Sequence, residues 1–504
     1  MKGKTMKVKV RLGMAIGIVC GVGGVEVRAD EANVIDSVRE RLSQIENGEK
    51  KKTSRAPASV AEDDAPAGTA AEKPKKKKKH HATRAPASAG DWKRAEPPSR
   101  PSATRPSQEV APVPESPEEE ESRLTKNWGG PRKTLSEKGI DLGLTYKAEF
   151  TRVYSGGVER KSNTLGNVDL KASIDAEKLV GWSGGSLFFY VLNDHGGHPS
   201  QASGDSQGTS NLETVGFGTK LYEAWVQQIA FDAKASFLFG LHDLNSEFYV
   251  TDTSGLFFNA SFGIGKELSQ TGENGPSIFP NTALALRIRT EPSQHFYMQV
   301  GAFGAKAGDK TNPRGTHVNS SLGDGLLMIT EAAYTNGKGA EGGTPAKYAV
   351  GVWNYTEVYD HQTTTYADTN GNDVPAKAAS HGAYFLADQG LSEQWSAFLR
   401  YGVASTEVNR FASCLGFGVV STGLIPGRAK DRWGLAVARA VNGDVYQSTA
   451  SDGAARWETT YEMNYRAEVL RGIALQPDVQ YIVNPGADTL PNAWVGAFRV
   501  ELNF

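Results

Sequence analysis

The chain has 504 residues, a formal net charge of −2 and 39% hydrophobic content. A near-neutral balance gives no electrostatic case for nucleic acid, which is held by a basic surface that displaces counterions. The two cysteines, Cys20 and Cys414, exclude a disulfide-rich scaffold.

The chain opens with Lys2, Lys4, Lys7, Lys9 and Arg11, followed by an uncharged stretch from Leu12 to Val25. Val27-Arg28-Ala29 then supplies a cleavage pattern, so residues 1–29 read as a secretory signal removed before Asp30. The apolar stretch falls short of the roughly 20 residues that a spanning helix needs. Cys20 raises a lipoprotein reading, which Gly17-Ile18-Val19 fits poorly. The exported chain keeps only Cys414, so its fold is expected to hold without an intramolecular disulfide.

Residues 30–48 predict a short helix. Ile35, Val38, Leu42 and Ile45 follow the a/d seam of a coiled coil. Two heptads are marginal alone, which leaves a self-associated bundle such as a homotrimer or a frayed amphipathic leader. Residues 49–122 are low in complexity: Arg55–Ser59 recurs as Arg84–Ser88, around Lys75–Lys79, and the zone ends in Glu118–Glu121. Such composition predicts an extended, disordered tether. Its lysine run suits anionic cell-wall polymer or lipid headgroups, or is simply solvated. His80-His81 lacks a third ligand at metal spacing, and neither cofactor nor metal is expected anywhere in the chain.

After residue 30 no apolar run reaches the length of a membrane helix. If the chain spans a membrane, only a closed β-barrel satisfies its backbone there. From residue 123 onward the pattern is that of strands. Leu142, Leu144, Tyr146, Ala148 and Phe150 alternate with Gly143, Thr145, Lys147, Glu149 and Thr151. Leu284, Leu286 and Ile288 oppose Arg287 and Arg289; Leu399 and Tyr401 oppose Arg400; Leu435 and Val437 oppose Arg432; Tyr461 and Met463 oppose Glu462. In the final strand Trp494, Gly496, Phe498, Val500, Leu502 and Phe504 oppose Arg499 and Glu501. An arginine at the lipid midplane costs roughly 2–4 kcal/mol, so these charges are expected to face a hydrated lumen. The 56 glycines and 17 tyrosines suit tight turns and interfacial belts. The fold class is therefore all-β, a transmembrane antiparallel barrel over residues 123–504.

Several blocks carry a more specific likeness. They are Trp128-Gly129-Gly130-Pro131-Arg132 with Gly139-Ile140, Leu179-Val180-Gly181-Trp182, Leu221-Tyr222-Glu223-Ala224-Trp225 and Phe239-Gly240-Leu241. Ser246-Glu247-Phe248, Phe257 to Gly263, and Leu475 to Tyr481 with Asn484-Pro485-Gly486 follow in the same order. In order and spacing residues 124–504 resemble the carbohydrate-selective outer-membrane porins (OprB-like). The resemblance implies about 16 strands, or ~24 residues of chain per strand where the membrane crossing itself needs roughly 9–11. It also implies passive diffusion of glucose-like sugars across the outer membrane of a Gram-negative-type bacterium, with sugars and outer-membrane lipid as partners. A general or anion-preferring porin, and a cell-wall anchor with an incidental pore, are the other readings.

A sugar entering a constriction sheds water, so the wall must replace its hydrogen bonds. Guanidinium groups offer donors and carboxylates acceptors. Strand parity gives the pore-lining candidates Glu149, Glu223, Arg287, Arg289, Arg400, Glu462, Asp478, Arg499 and Glu501. Asp243 and Glu247, beside Phe248-Tyr249, join them because the resemblance suggests a segment folding into the pore. For each charge the alternative is an ion ladder that holds barrel shape. Pro477 is expected to kink its strand and give Asp478 and Gln480 a turn-fixing role. His195-Gly-Gly-His198 reads as an external loop rather than a metal site. No His-Glu-x-x-His occurs, and no enzyme activity is expected.

Overall fold

A computed structural model of the chain describes residues 123–504 apart from 215, 217, 310, 313–315, 320–321, 338–343 and 369–371. The expected signal, the 30–48 helix and the 49–122 tether lie outside the described residues.

Sixteen strands close into one antiparallel barrel. In chain order they are β1 (Ile140–Ser155), β2 (Ser162–Asp175), β3 (Gly185–Gly196), β4 (Gly218–Ala230), β5 (Ala235–His242), β6 (Ala283–Ser293), β7 (Phe296–Gly304) and β8 (Leu326–Asn336). The second half holds β9 (Ala346–Ala367), β10 (Asp373–Gly390), β11 (Trp395–Ala404), β12 (Phe411–Thr422), β13 (Arg432–Asn442), β14 (Trp457–Leu470), β15 (Ile473–Val483) and β16 (Ala493–Asn503). Each pairs with its neighbours in sequence, and β1 closes on β16 with Glu149 opposite Arg499. Closure leaves the wall without a free edge.

Alternation decides which way each strand faces. On β6, Arg287 and Arg289 are buried inward while Leu286 and Ile288 stand exposed outward. The same parity sends Arg400, Glu462 and Arg499 inward and Tyr401, Met463 and Phe498 outward. A fatty outer face and a charged inner face are what lipid on one side and a hydrated lumen on the other require.

The two rims differ. At one, connections are as short as Arg471-Gly472 between β14 and β15. At the other, residues 197–217 join β3 to β4 and residues 243–282 join β5 to β6. Bacterial barrels carry their short turns on the periplasmic side and longer loops outside. The 243–282 connection turns inward and supplies the hydrophobic core. Leu244, Phe248, Tyr249 and Leu268 pack on Tyr297, Phe303, Trp353 and Tyr384 of the wall. Phe257 and Phe262 pack on Phe398, Ala436 and Ala438. The wall makes room with glycine: a Cβ on Gly434 would lie 2.7 Å from the Phe257 ring.

Beside the short-turn rim, α1 (Pro131–Glu137) begins with proline at its first position. It presents buried Arg132, whose Nη2 donates to the carbonyls of Leu142 at 2.8 Å and Phe504 at 3.0 Å. The Trp128–Arg132 block thus ties the chain terminus to β1.

Two expectations are corrected. Pro477 makes no turn: β15 runs straight through it, and the β14–β15 register passes from Asn464↔Asp478 to Ala467↔Leu475 without a shift. Its missing N–H falls where that ladder skips two pairs, while on the other side it sits opposite Phe498. His195 is not in a loop but near the end of β3, its ring stacked on Tyr146; only His198 lies beyond the strand.

Candidate functional site: a lumen divided by an inserted segment

The 243–282 segment lacks strands of its own. Asp243 accepts from the Asn245 amide and Asn259 from the Ser261 amide, so each opens a single short turn. Many of its amides bond within the segment, as Phe248 does to Leu244 and Leu268 to Gly265, and others find partners on the wall, because a buried unpaired amide or carbonyl is costly. The inward charges supply them. Glu331 on β8 accepts from the Tyr249 amide at 3.0 Å, and Lys347 on β9 donates to the Val250 carbonyl at 3.0 Å. Asp388 on β10 accepts from the Thr253 amide at 2.9 Å. Arg400 donates to the carbonyls of Tyr249, at 2.9 Å, and Phe262. Glu462 accepts from the amides of Phe258 and Asn259 at 2.6 and 2.9 Å. Asn464 and Gln476 both donate to the Leu256 carbonyl.

These contacts hold unusual backbone. Tyr249 sits at φ 63°, left-handed for a bulky residue. It is fixed from three sides, since its hydroxyl also donates to Glu267 at 2.7 Å. Strain of this kind persists only where the surroundings over-determine it.

At the root of the segment, Glu247 takes a two-pronged contact from Arg287, Nε and Nη2 each at 2.6 Å. Burial opposes the Glu247 charge, but Arg287 and His242 outweigh it and hold the carboxyl well below its usual range. Arg287 also donates to Ser236 and Gln227. Glu223 lies 3.0 Å from His242 Nδ1 and accepts from the Asp243 amide. Asp243 accepts from the Tyr222 hydroxyl at 2.7 Å.

The 197–217 connection enters the lumen beside it. Its amides at Ser206 and Gln207 donate to Glu458, and Gln480 donates to the Thr209 carbonyl. Arg499 bonds Glu149 and Asn211, and its guanidinium lies 3.8 Å over the Phe258 ring. Glu149 and Arg499 therefore link the barrel seam to both inserted pieces. Gln480 is an anchor, not a turn residue, and Asp478 accepts from it at 3.1 Å. Arg289 pairs with Glu291 and lies 3.7 Å over Tyr297. Glu501 accepts from Arg466 at 3.0 Å and stays partly exposed.

The inner face of β1–β3 differs. Lys147 pairs with Asp169 at 2.8 Å, and the Tyr190 hydroxyl donates to the same carboxylate at 2.6 Å. Lys171 is exposed on the inward parity of β2, its Nζ 4.7 Å over the Tyr190 ring. Asn167 donates to Asp194 at 3.0 Å. Several buried atoms here have no protein partner: Glu149 Oε1, Thr151 Oγ1, Asn163 Nδ2, Asn167 Oδ1 and Asp194 Oδ2. Sequence reasoning missed Asp169, Lys171, Tyr190 and Asp194. The alternation in Ser162–Asp175 carried the signal for the β2 pair; no sequence signal distinguished Tyr190 from an outward aromatic.

Among the described residues, no group of three His, Cys, Asp or Glu is placed to hold a metal ion. Gly181-Trp-Ser-Gly-Gly185 and Gly204-Asp-Ser-Gln-Gly208 match the hydrolase elbow pattern, but neither has its strand–turn–helix setting. Ser183 follows a helical turn and bonds Glu177, and the Ser206 amide bonds Glu458.

The model of the carbohydrate-selective porin family, OprB, matches residues 159–504. The chain belongs to this family. Porin B of Pseudomonas aeruginosa is 27% identical over 419 residues, covering 75% of this chain and 90% of that protein. A putative porin, QuiX, of Acinetobacter baylyi is 22% identical and covers 76% of this chain. Among solved structures, the high-pH form of Pseudomonas putida OprB superposes with a TM-score of 0.67 at 23% identity, covering 76% of this chain and 98% of that one. Family membership makes the protein an outer-membrane diffusion porin for carbohydrates, a channel rather than an enzyme.

Proposed function

We propose that sugars cross along the corridor between the inserted segment and the inner face of β1–β3. The observation that carries this is the division of labour among inward polar groups. Anchors for 243–282 come from β4, β6–β12, β14 and β15. The β1–β3 wall instead pairs its inward groups with one another, Lys147 and Tyr190 on Asp169 and Asn167 on Asp194, and keeps the Lys171 ammonium exposed. A sugar hydroxyl both donates and accepts, so this wall can trade hydrogen bonds with it as water is shed. Binding stays weak enough for flux when each contact is worth only about 0.5–1.5 kcal/mol net. Tyr190 adds a ring edge for the apolar face of a pyranose. On this reading Arg287, Arg400, Glu247, Glu462 and Asp478 shape the eyelet from behind, while Glu149, Arg499 and Glu501 border the path.

Liposome swelling and single-channel recording with Asp194→Asn, Lys171→Gln and the double variant test the assignment. Sugar-dependent block is expected to weaken about three- to tenfold per variant, roughly the loss of one such hydrogen bond, with conductance nearly unchanged. If block is untouched in all three while Arg287 or Glu462 variants abolish it, the corridor lies elsewhere. A preference for anions is the second reading, favoured by Lys147 and Lys171 on one wall. Lys171→Gln then shifts the reversal potential more than the sugar block. Self-association through residues 30–48 and cell-wall contact through Lys75–Lys79 are further proposals, supported by spacing and charge in the sequence alone.

A further inference from the structure

Inward parity takes up almost every charge of the barrel. Among the described residues of the wall, where strands pair on both sides, two charged side chains point outward: Arg152 on β1 and Arg439 on β13. Both are exposed, and neither has a carboxylate within ion-pair distance among the described residues. Their surroundings repeat. Arg439 donates from Nε to Thr459 on the next strand at 2.8 Å and lies 4.3 Å over the Trp457 ring. Arg152 donates from Nη1 to Ser162 on the next strand at 3.1 Å and lies 5.8 Å over the Tyr154 ring. Each spends one N–H on the wall and keeps the rest of its planar fork free.

The two sit at matching depth. Ladder partners run from Gly434 near the short-turn end of β13 through Asn464, Asp478 and Ala497 to Thr151, far up β1. Crossing the tilted strands in this direction therefore climbs toward the long-loop rim, by about one residue per strand at a tilt near 40°. From Arg439 the ladder passes Thr459 and Val483 and reaches β1 just past Ser155. Subtracting the climb puts Arg152 level with Arg439. Along β13, Arg439 stands about 15 Å above the aromatic girdle at Trp433, in a belt about 25 Å tall. Its side chain snorkels upward onto Trp457. Between the arginines runs an aromatic arc in which Tyr481 and Trp494 pack at 4.6 Å.

We propose that the β13–β2 arc of the outer wall, marked by Arg439 and Arg152, is a docking surface for the phosphate groups of outer-leaflet lipid. An uncompensated cation at the edge of hydrocarbon is costly, and the guanidinium fork matches phosphate geometry. The long-loop rim places this surface on the outer leaflet. The inference does not rest on the sugar corridor, which lies on the opposite face of the wall.

The test uses the full chain purified from outer membranes in mild detergent, with bound phosphorylated glycolipid counted by native mass spectrometry. Arg439→Gln and Arg152→Gln are each expected to retain about fivefold less, the factor that ~1 kcal/mol per surface cation gives. The double variant loses still more, Arg439→Lys keeps most of the lipid, and sugar flux stays at the wild-type level throughout. Delipidated wild-type protein is expected to gain thermal stability from phosphorylated glycolipid and not from its dephosphorylated form. Equal lipid retention in wild type and double variant overturns the proposal. So does unchanged retention with loss of an oligomer, which would make the arc a contact with a second copy.

Discussion

Arg400 illustrates how a residue at a legible position takes on a role its parity does not reveal. Leu399 and Tyr401 on either side establish that it faces inward, yet its guanidinium ends on the carbonyls of Tyr249 and Phe262, far away in sequence. Arg400→Ala leaves those carbonyls unpaired in a buried site, at about 1–3 kcal/mol each. Tyr249 would then relax from its left-handed backbone. Amide exchange at Tyr249, Phe258 and Asn259 is expected to quicken at least about tenfold, with conductance raised and sugar block reduced. Unchanged exchange with altered block would mean that Arg400 meets sugar directly. Arg400→Lys, with fewer donors and no planar fork, gives an intermediate effect.

At the scale of elements, the strands were legible from alternation; a segment entering the pore at Asp243–Tyr249 was expected from the resemblance alone, and the 197–217 piece was not legible. Alternation reports which side of a strand is wet, because neighbouring side chains face opposite ways whatever the partner. It is silent on whether water or chain occupies that wet side. Glu462 accepts from two amides of the 243–282 segment, which a charge pattern cannot distinguish from a free pore-wall carboxylate. The Pro477 expectation failed for a related reason: two skipped pairs in the β14–β15 ladder accommodate the missing N–H. The 197–217 connection carries its own pH dependence. Burial pushes Glu213 up to about 7 and Asp205 adds to this, against hydrogen bonds from Ser200 and the charge of Lys266. The docked state therefore holds this proton more tightly than the free chain, whose carboxyl titrates near 4.3. Docking is fully supported below that value and weakens as pH rises through about 7. Channel noise and amide exchange in 197–217 are expected to increase between pH 5 and 8 in wild type, and to stay flat in Glu213→Gln. A wild-type rise that persists in the variant assigns the titration to another group.

For the whole molecule, the described residues pair into a closed barrel by themselves. The seam pairs Thr145 with Asn503 through Val153 with Val495, and Arg132 ties the chain terminus to β1. Deleting residues 30–122 is therefore expected to leave sugar permeation and thermal stability unchanged, while co-sedimentation with purified cell wall falls. Swelling assays and a sedimentation assay check both halves; wall binding that survives intact rules the tether out as the anchor.

By itself the sequence determined the wall: its strands, their inward and outward faces, and a chain ordered like a carbohydrate-selective porin. These follow from local periodicity and from the cost of placing charge against lipid, both written residue by residue. Tertiary structure alone decided how the inserted pieces are held in the lumen. Only there do Glu331, Asp388, Arg400 and Glu462, spread over four strands, converge on one segment. It also decided how the inward polar groups of β1–β3 pair with one another. Hydrogen-bond satisfaction depends on atoms distant in the chain, and one-dimensional periodicity carries no record of them.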